Sequence, residues 1–148
     1  MEFKAKWFDE LSTEEVYEIL RVRSQIFIVE MKMHCLDADG VDRTARHFFL
    51  ENEGAVQAYL RAFYTDDESV RIGRVLSVTH GIGLGADVMR RAIEDIRTSM
   101  PCRTLWLDSQ THAVGFYEKL GFRTVSDEFI EAGVPHVRME LDRKEVRR

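Results

Sequence analysis

Cysteine is scarce in this chain: Cys35 and Cys102 are the only two among 148 residues. Two thiols make no disulfide framework, and no Cys/His spacing has the pattern of a metal site. A reducing cytoplasm is the expected setting. Nothing local marks Cys35 as an activated nucleophile, so it reads as a plain thiol. Long apolar runs are missing too: none approaches the roughly 20 residues that span a bilayer. The start, Met1-Glu-Phe-Lys, lacks the basic residues and apolar block of a signal peptide. The formal net charge is −5, which argues against nucleic acid as a partner. Arg143 to Arg148 is basic but short, and reads as a solvated tail. Asp37, Asp39 and Asp42 lack the spaced closing glutamate of a calcium loop, so no metal is expected. There is no internal repeat, low-complexity segment or linker.

What is present is a composition of 45% hydrophobic and 32% charged residues, that of a soluble globular protein. The length fits one domain over 1–148 with one core. Residues 2–8 read as a strand. Ser12 and Glu15 form a capping box, so a helix starts there. Its apolar stripe is Val16, Ile19, Leu20, Ile26 and Phe27, and Arg23 and Glu30 fall on the same stripe. Residues 31–46 read as a loop. Strands over 47–51 and 55–64 form a hairpin across Asn52-Glu53-Gly54, and 70–79 is the next strand. Leu84, Val88, Met89, Ala92, Ile93 and Ile96 make one helix face. Pro101 separates that helix from a strand over 104–108. A helix over 112–120 and strands over 122–127 and 136–141 complete an α/β chain, with a mixed sheet and helices on both faces.

His80 to Ala86 carries the most information. Gly81, Gly83 and Gly85 alternate between a strand and a helix start. Glycine allows a tight turn and close approach of a ligand to the backbone. A helix N-terminus adds unpaired N–H groups and partial positive charge. Together they make a cradle for phosphate or pyrophosphate. Gly81, Gly83 and Ala86 also fit a dinucleotide fingerprint, with Asp108 near the place of a ribose-binding acid. That reading, a small nucleotide-dependent oxidoreductase, expects the glycine turn after the first strand. Here about half the chain precedes it, and what remains is too short for two domains.

A second motif follows from Gln110 and ends in Tyr117-Glu-Lys-Leu-Gly-Phe122. The pair of motifs, in this order and at this distance, resembles the GNAT superfamily of acyl-CoA-dependent N-acyltransferases. Leu20 to Arg23, Phe27 to Glu30, Asp37 to Asp42, Arg46-His47, Gly73-Arg74-Val75 and Pro135-His136 are similar to the ElaA-like branch, so that the likeness covers about Leu11 to Leu141. The resemblance implies the GNAT fold: a central, mostly antiparallel sheet with helices on both faces. It implies an acetyltransferase that moves an acetyl group from acetyl-CoA to a small-molecule or peptide amine, without metal, nucleic acid or membrane. A homodimer is compatible with it. A module that holds acyl-CoA without turnover is the alternative.

On that resemblance, the backbone of Gly81, Ile82, Gly83, Leu84, Gly85 and Ala86 binds the CoA pyrophosphate. His80 stands at its edge in place of the usual arginine, and is a weaker phosphate partner. Leu76, Ser77 and Val78 pair with the pantetheine arm, and one N–H among them polarises the thioester carbonyl. A strand does this only where its ladder opens, so a bulge or splay is expected there. Gln110, where many members have asparagine, reaches the pantetheine with its amide. Phe116 is placed at the cofactor, with packing as its other role. Tyr117 is the acid that protonates the leaving thiolate. Glu30 is the candidate base, because an acid on a core face needs a reason; the alternative is that the face has already turned outward at the helix end. Arg23 and Arg61 are candidates for an anionic group of the substrate, or else long side chains snorkelling from the core; His47 is a candidate for reaching the substrate pocket, or else a capping or buried, hydrogen-bonded histidine.

Overall fold

The computed structural model describes residues 1–141. The basic tail at Arg143 to Arg148 lies outside the described residues. Strand β1 (Glu2–Trp7) leads through a short turn to helix α1 (Thr13–Arg23). The capping box forms: the Glu15 amide donates to Ser12 Oγ at 3.1 Å, and the Ser12 amide donates to Glu15 Oε1 at 2.8 Å. Burial pushes the Glu15 carboxyl up. Its bonds with the Ser12 amide, Lys6 and Lys4 outweigh this and hold its pKa at about 2.

Beyond Arg23 the helix widens into π-helical turns over Ser24–Glu30, with the Met31 amide donating to the Ile26 carbonyl five residues back at 2.9 Å. This corrects the expectation for Glu30. A wider turn takes more residues to complete each circuit, so the side chains lag behind the α-helical stripe. Ile26 and Phe27 remain buried, whereas Glu30 has turned outward and is exposed. Val22, not Leu20, completes the buried stripe of α1.

Strands β2 (Arg46–Asn52), β3 (Ala55–Asp66) and β4 (Ser69–Ser77) form an antiparallel meander. The hairpin between β2 and β3 turns on Glu53 and Gly54, both at positive φ, the backbone of a two-residue hairpin turn. Helix α2 (Leu84–Ser99) crosses over to β5 (Thr104–Gln110), which pairs parallel with β4. A short turn and α3 (Val114–Glu118) follow, then β6 (Phe122–Thr124), β7 (Phe129–Glu131) and β8 (Val134–Leu141). Three closing strands thus stand where two were expected. The third, β7, is made by a two-residue turn at Ala132 and Gly133, both at positive φ.

One eight-stranded sheet results, in the order β1-β2-β3-β4-β5-β8-β6, with β7 also on β8. Every neighbouring pair except β4–β5 is antiparallel. Helix α2 packs on one face, where Val88, Met89, Ala92, Ile93 and Ile96 meet Phe48, Leu50, Leu60, Ile72 and Leu105. Helix α1 and the π-helical turns that continue it pack on the other, where Ile19, Val22, Ile26 and Phe27 meet Phe49, Val56, Tyr59 and Leu76. Each of these large side chains, fully buried, contributes roughly 1.5–3 kcal/mol of transfer free energy.

Candidate active site

Strands β4 and β5 separate part-way along. They pair at Ser69–Thr104, Val70–Leu105 and Arg71–Trp106, and nowhere beyond. From there β4 follows β3, while β5 follows β8 as far as the Gln110–His136 pair. A gap opens between the two strands toward their C-terminal ends. Two residues of β4, Arg74 and Val75, stand opposite Leu60 of β3, a bulge that bends the strand at the gap. The splay expected from the sequence is therefore present.

The pairing also fixes which amides face the gap. Val78 donates to the Gln57 carbonyl at 2.9 Å, so its N–H points toward β3. Antiparallel pairs alternate between bonded and non-bonded positions. Ser77, opposite Ala58, is therefore a non-bonded position, and its N–H and C=O face away from β3 into the gap.

Helix α2 begins at the mouth of this gap. Gly81 and Gly83 both have φ +80°, and Gly83 is the N-cap, with no side chain capping the helix. The Asp87 amide donates to the Gly83 carbonyl at 3.0 Å, which starts the helical ladder and leaves the first-turn amides without that partner. A Cβ at Gly81 or Gly83 would meet no protein atom within 4 Å. The residues fit a pyrophosphate: open space, bare amides and the positive end of a helix coincide. His80 and Ile82 are exposed on the same loop, and Leu84 and Ala86 are half-buried. Gly85 faces Phe116, whose Cζ would lie 3.5 Å from a Cβ there, so that Phe116 walls the start of α2.

Tyr117 is half-buried against the core and meets Phe116 and Phe122 edge to face, at 5.0 and 6.0 Å between ring centroids. Burial pushes its phenol up to about 12, so it is protonated at neutral pH. No described residue hydrogen-bonds its hydroxyl. Gln110 ends β5, and its Oε1 lies 2.8 Å from His112 Nε2.

The structure brings Arg23, His47 and Arg61 together, but directs them at the protein's own loop. Arg23, fully buried, donates to Asp42 Oδ1 at 2.7 Å, Asp37 Oδ2 at 3.1 Å and the Asp37 carbonyl at 2.7 Å. Arg61 forks onto Asp39 at 2.7 and 2.8 Å and reaches Asp42 at 2.9 Å. Two buried guanidinium groups need such partners, since an uncompensated charge is expensive away from water. Arg61 Nε alone is buried without a hydrogen-bond partner among the described residues. The Arg61 guanidinium holds the Asp39 carboxyl well below the usual range. Burial pushes Asp42 up, and Arg23 and Arg61 more than reverse it. His47 does not open onto a pocket. It is buried, with Nδ1 2.7 Å from the Tyr59 hydroxyl and Nε2 2.9 Å from the Asp42 carbonyl.

Glu30 is exposed and accepts a hydrogen bond from Gln25 at 3.1 Å. Pro135-His136 marks the ElaA-like likeness, yet periodicity only places His136 in a strand and says nothing of its ring. It is buried opposite Gln110, with Nδ1 2.7 Å from the Val134 carbonyl. A carbonyl only accepts, so Nδ1 carries a proton, and Nε2 lies 3.9 Å from Glu131 Oε2. Among the described residues, no group of three or more His, Cys, Asp or Glu is placed to hold a metal ion. No helix among them is long and apolar enough to cross a membrane.

The sequence matches the acetyltransferase (GNAT) domain over residues 10–143. Protein ElaA of Escherichia coli is 33% identical over 136 residues, which cover 88% of this chain and 89% of that protein. The crystal structure of Escherichia coli ElaA superposes with a TM-score of 0.88 and 31% identity, over 95% of this chain and 99% of that one. An acyl-CoA N-acyltransferase from Pseudomonas aeruginosa superposes with a TM-score of 0.89 and 28% identity, over 96% of this chain and 100% of that one.

Proposed function

The chain belongs to the GNAT acetyltransferase family as an ElaA-like member, and from that premise we propose that it transfers an acetyl group from acetyl-CoA to a primary amine by direct attack in a ternary complex. The observation that supports this most is the parting of β4 from β5 beside the uncapped N-terminus of α2. The residues from Gly81 to Ala86 hold the pyrophosphate by their amides, with His80 and Phe116 at the rim. The backbone from Leu76 to Val78 takes the pantetheine arm, with the free amide of Gln110 as a further donor. The Ser77 N–H, turned into the gap, polarises the thioester carbonyl and supports the oxyanion that forms on it.

In the reaction the amine nitrogen bonds to the carbonyl carbon, the carbon–sulfur bond breaks, and the sulfur leaves with its electron pair. Tyr117 gives its proton to that sulfur. The amine proton passes to a base, for which Glu30, acting through water, and Nε2 of His136 are the candidates. Arg23, His47 and Arg61 serve the acceptor side through the loop that they hold, rather than by touching the substrate.

Calorimetric titration with acetyl-CoA and with NAD tests the donor. Acetyl-CoA is expected to bind and NAD is not; NAD binding without CoA binding overturns the reading. A panel of amines with acetyl-CoA, followed by release of free thiol, tests the reaction. Binding without release for every amine would favour a module that holds acyl-CoA without turnover.

A further inference from the structure

The left-handed residue of the β4 bulge is not the glycine. Gly73 has an ordinary backbone, whereas its neighbour Arg74 takes φ +54°. An L side chain in that region carries a steric cost that glycine escapes. The Arg74 side chain is the part that is held. Its Nε donates to Asp37 Oδ1 at 2.9 Å, and its Nη2 donates to the Asp37 carbonyl at 3.2 Å and to Asp39 Oδ2 at 3.5 Å. Both aspartates are fixed from behind, Asp37 by buried Arg23 and Asp39 by buried Arg61. The loop over 31–45 and the bulge are thereby joined through one side chain. The bulge lies between the last β4–β5 pair, at Arg71, and Ser77. Its conformation sets the direction of the strand that follows.

The geometry points to Arg74 as a positioning residue: clamped by Asp37 and Asp39, it holds the β4 bulge that turns the Ser77 amide into the gap, and it ties the donor-binding edge to the 31–45 loop. This rests on the reading that the acyl donor binds in the gap. Arg74 acts through the backbone and needs no contact with the donor.

Arg74→Ala and Arg74→Gly separate the two contributions. Both remove the guanidinium, but only alanine retains the cost of the left-handed backbone. Calorimetric titration with CoA is expected to show Arg74→Ala weakened about tenfold, the scale of that backbone cost, and Arg74→Gly within about threefold of the unaltered protein. Equal losses in both would mean that the positive charge itself serves the ligand, and unaltered affinity in both would mean that the bulge needs no clamp; either result overturns the proposal. If the unaltered protein fails to bind CoA, the donor reading falls and takes the clamp with it. If it binds and the variants are indifferent, only the clamp falls. Should Arg74→Ala fail to fold by circular dichroism, Asp37→Asn makes the comparison from the loop side. Its affinity is expected to fall about tenfold and to recover in the double variant with Arg74→Gly, and equal losses in both overturn the proposal.

Discussion

The Tyr59 hydroxyl donates its proton to Nδ1 of His47 across 2.7 Å, because Nε2 of the same ring must donate to the Asp42 carbonyl at 2.9 Å. The ring is thus a neutral tautomer with both nitrogens engaged inside the core. Burial lowers the His47 pKa from its ordinary value of 6.5, and the charges of Arg23 and Arg61 add to this. Folding therefore favours the neutral ring.

The sign of the pH dependence follows. On unfolding, His47 binds a proton more readily, so stability is full above about pH 6.5 and falls as the pH drops through the window below it. Glu15, Asp39 and Asp42 are lowered from ordinary values of 4.5, 3.8 and 3.8, so their contribution is present above those values and is lost below them. Melting temperatures measured from pH 8 to pH 3 are expected to show a shallow decline from about pH 6.5 and a steep one from about pH 4.5. A flat profile down to pH 4.5 would mean that His47 takes up its proton in the folded state.

Asp42→Ala leaves Arg23 and Arg61 with a buried charge deficit. Breaking a buried pair in this way costs about 3–5 kcal/mol, or roughly 6–20 °C in melting temperature for a domain of this size. Arg103 and Glu68 make an exposed pair at 3.4 Å, and Glu68→Gln is expected to leave the melting temperature unchanged. Thermal melts of the two variants side by side check both statements.

Tyr117→Phe retains the ring packing and removes a hydroxyl that no described residue bonds. Fold and CoA affinity are expected to be unaltered, while turnover falls by roughly 10²–10⁴, the scale of general acid catalysis. Single-turnover rates with an active amine, compared at several pH values, read the chemical step. Rates within a factor of about three of each other would make Tyr117 a packing residue.

Gly83→Val places a β-branched side chain at φ +80°, where such residues are strained, and fills space that no protein atom occupies. Loss of CoA binding in a folded variant is the expected result. Calorimetry with unaltered affinity would remove the loop from the site.

Much of this was legible in local patterns. The Ser12 and Glu15 box, the α2 stripe and the Asn52-Glu53-Gly54 turn each act within one or two helical turns or a single hairpin, and each stands where the sequence places it. Periodicity puts Glu30 on the core face because it assumes a constant helical pitch, and the π-helical stretch breaks that pitch. Strand β7 has three residues, too few for an alternation to register, although Ala132-Gly133 was a usable turn signal. The arginine network was hidden for a different reason. The partners Arg23–Asp37, Arg61–Asp39 and Arg74–Asp37 are 14, 22 and 37 residues apart, and only the folded chain makes them neighbours.

The separation of β4 from β5 has a consequence for deuterium exchange. Val78 donates to β3, whereas Ser77 beside it faces the gap. Two consecutive amides of one chain segment therefore keep different clocks: Val78 exchanges only when the β3–β4 pairing opens, and Ser77 exchanges with the solvent that fills the gap. An acyl donor in the gap would slow the second clock and leave the first to run as before.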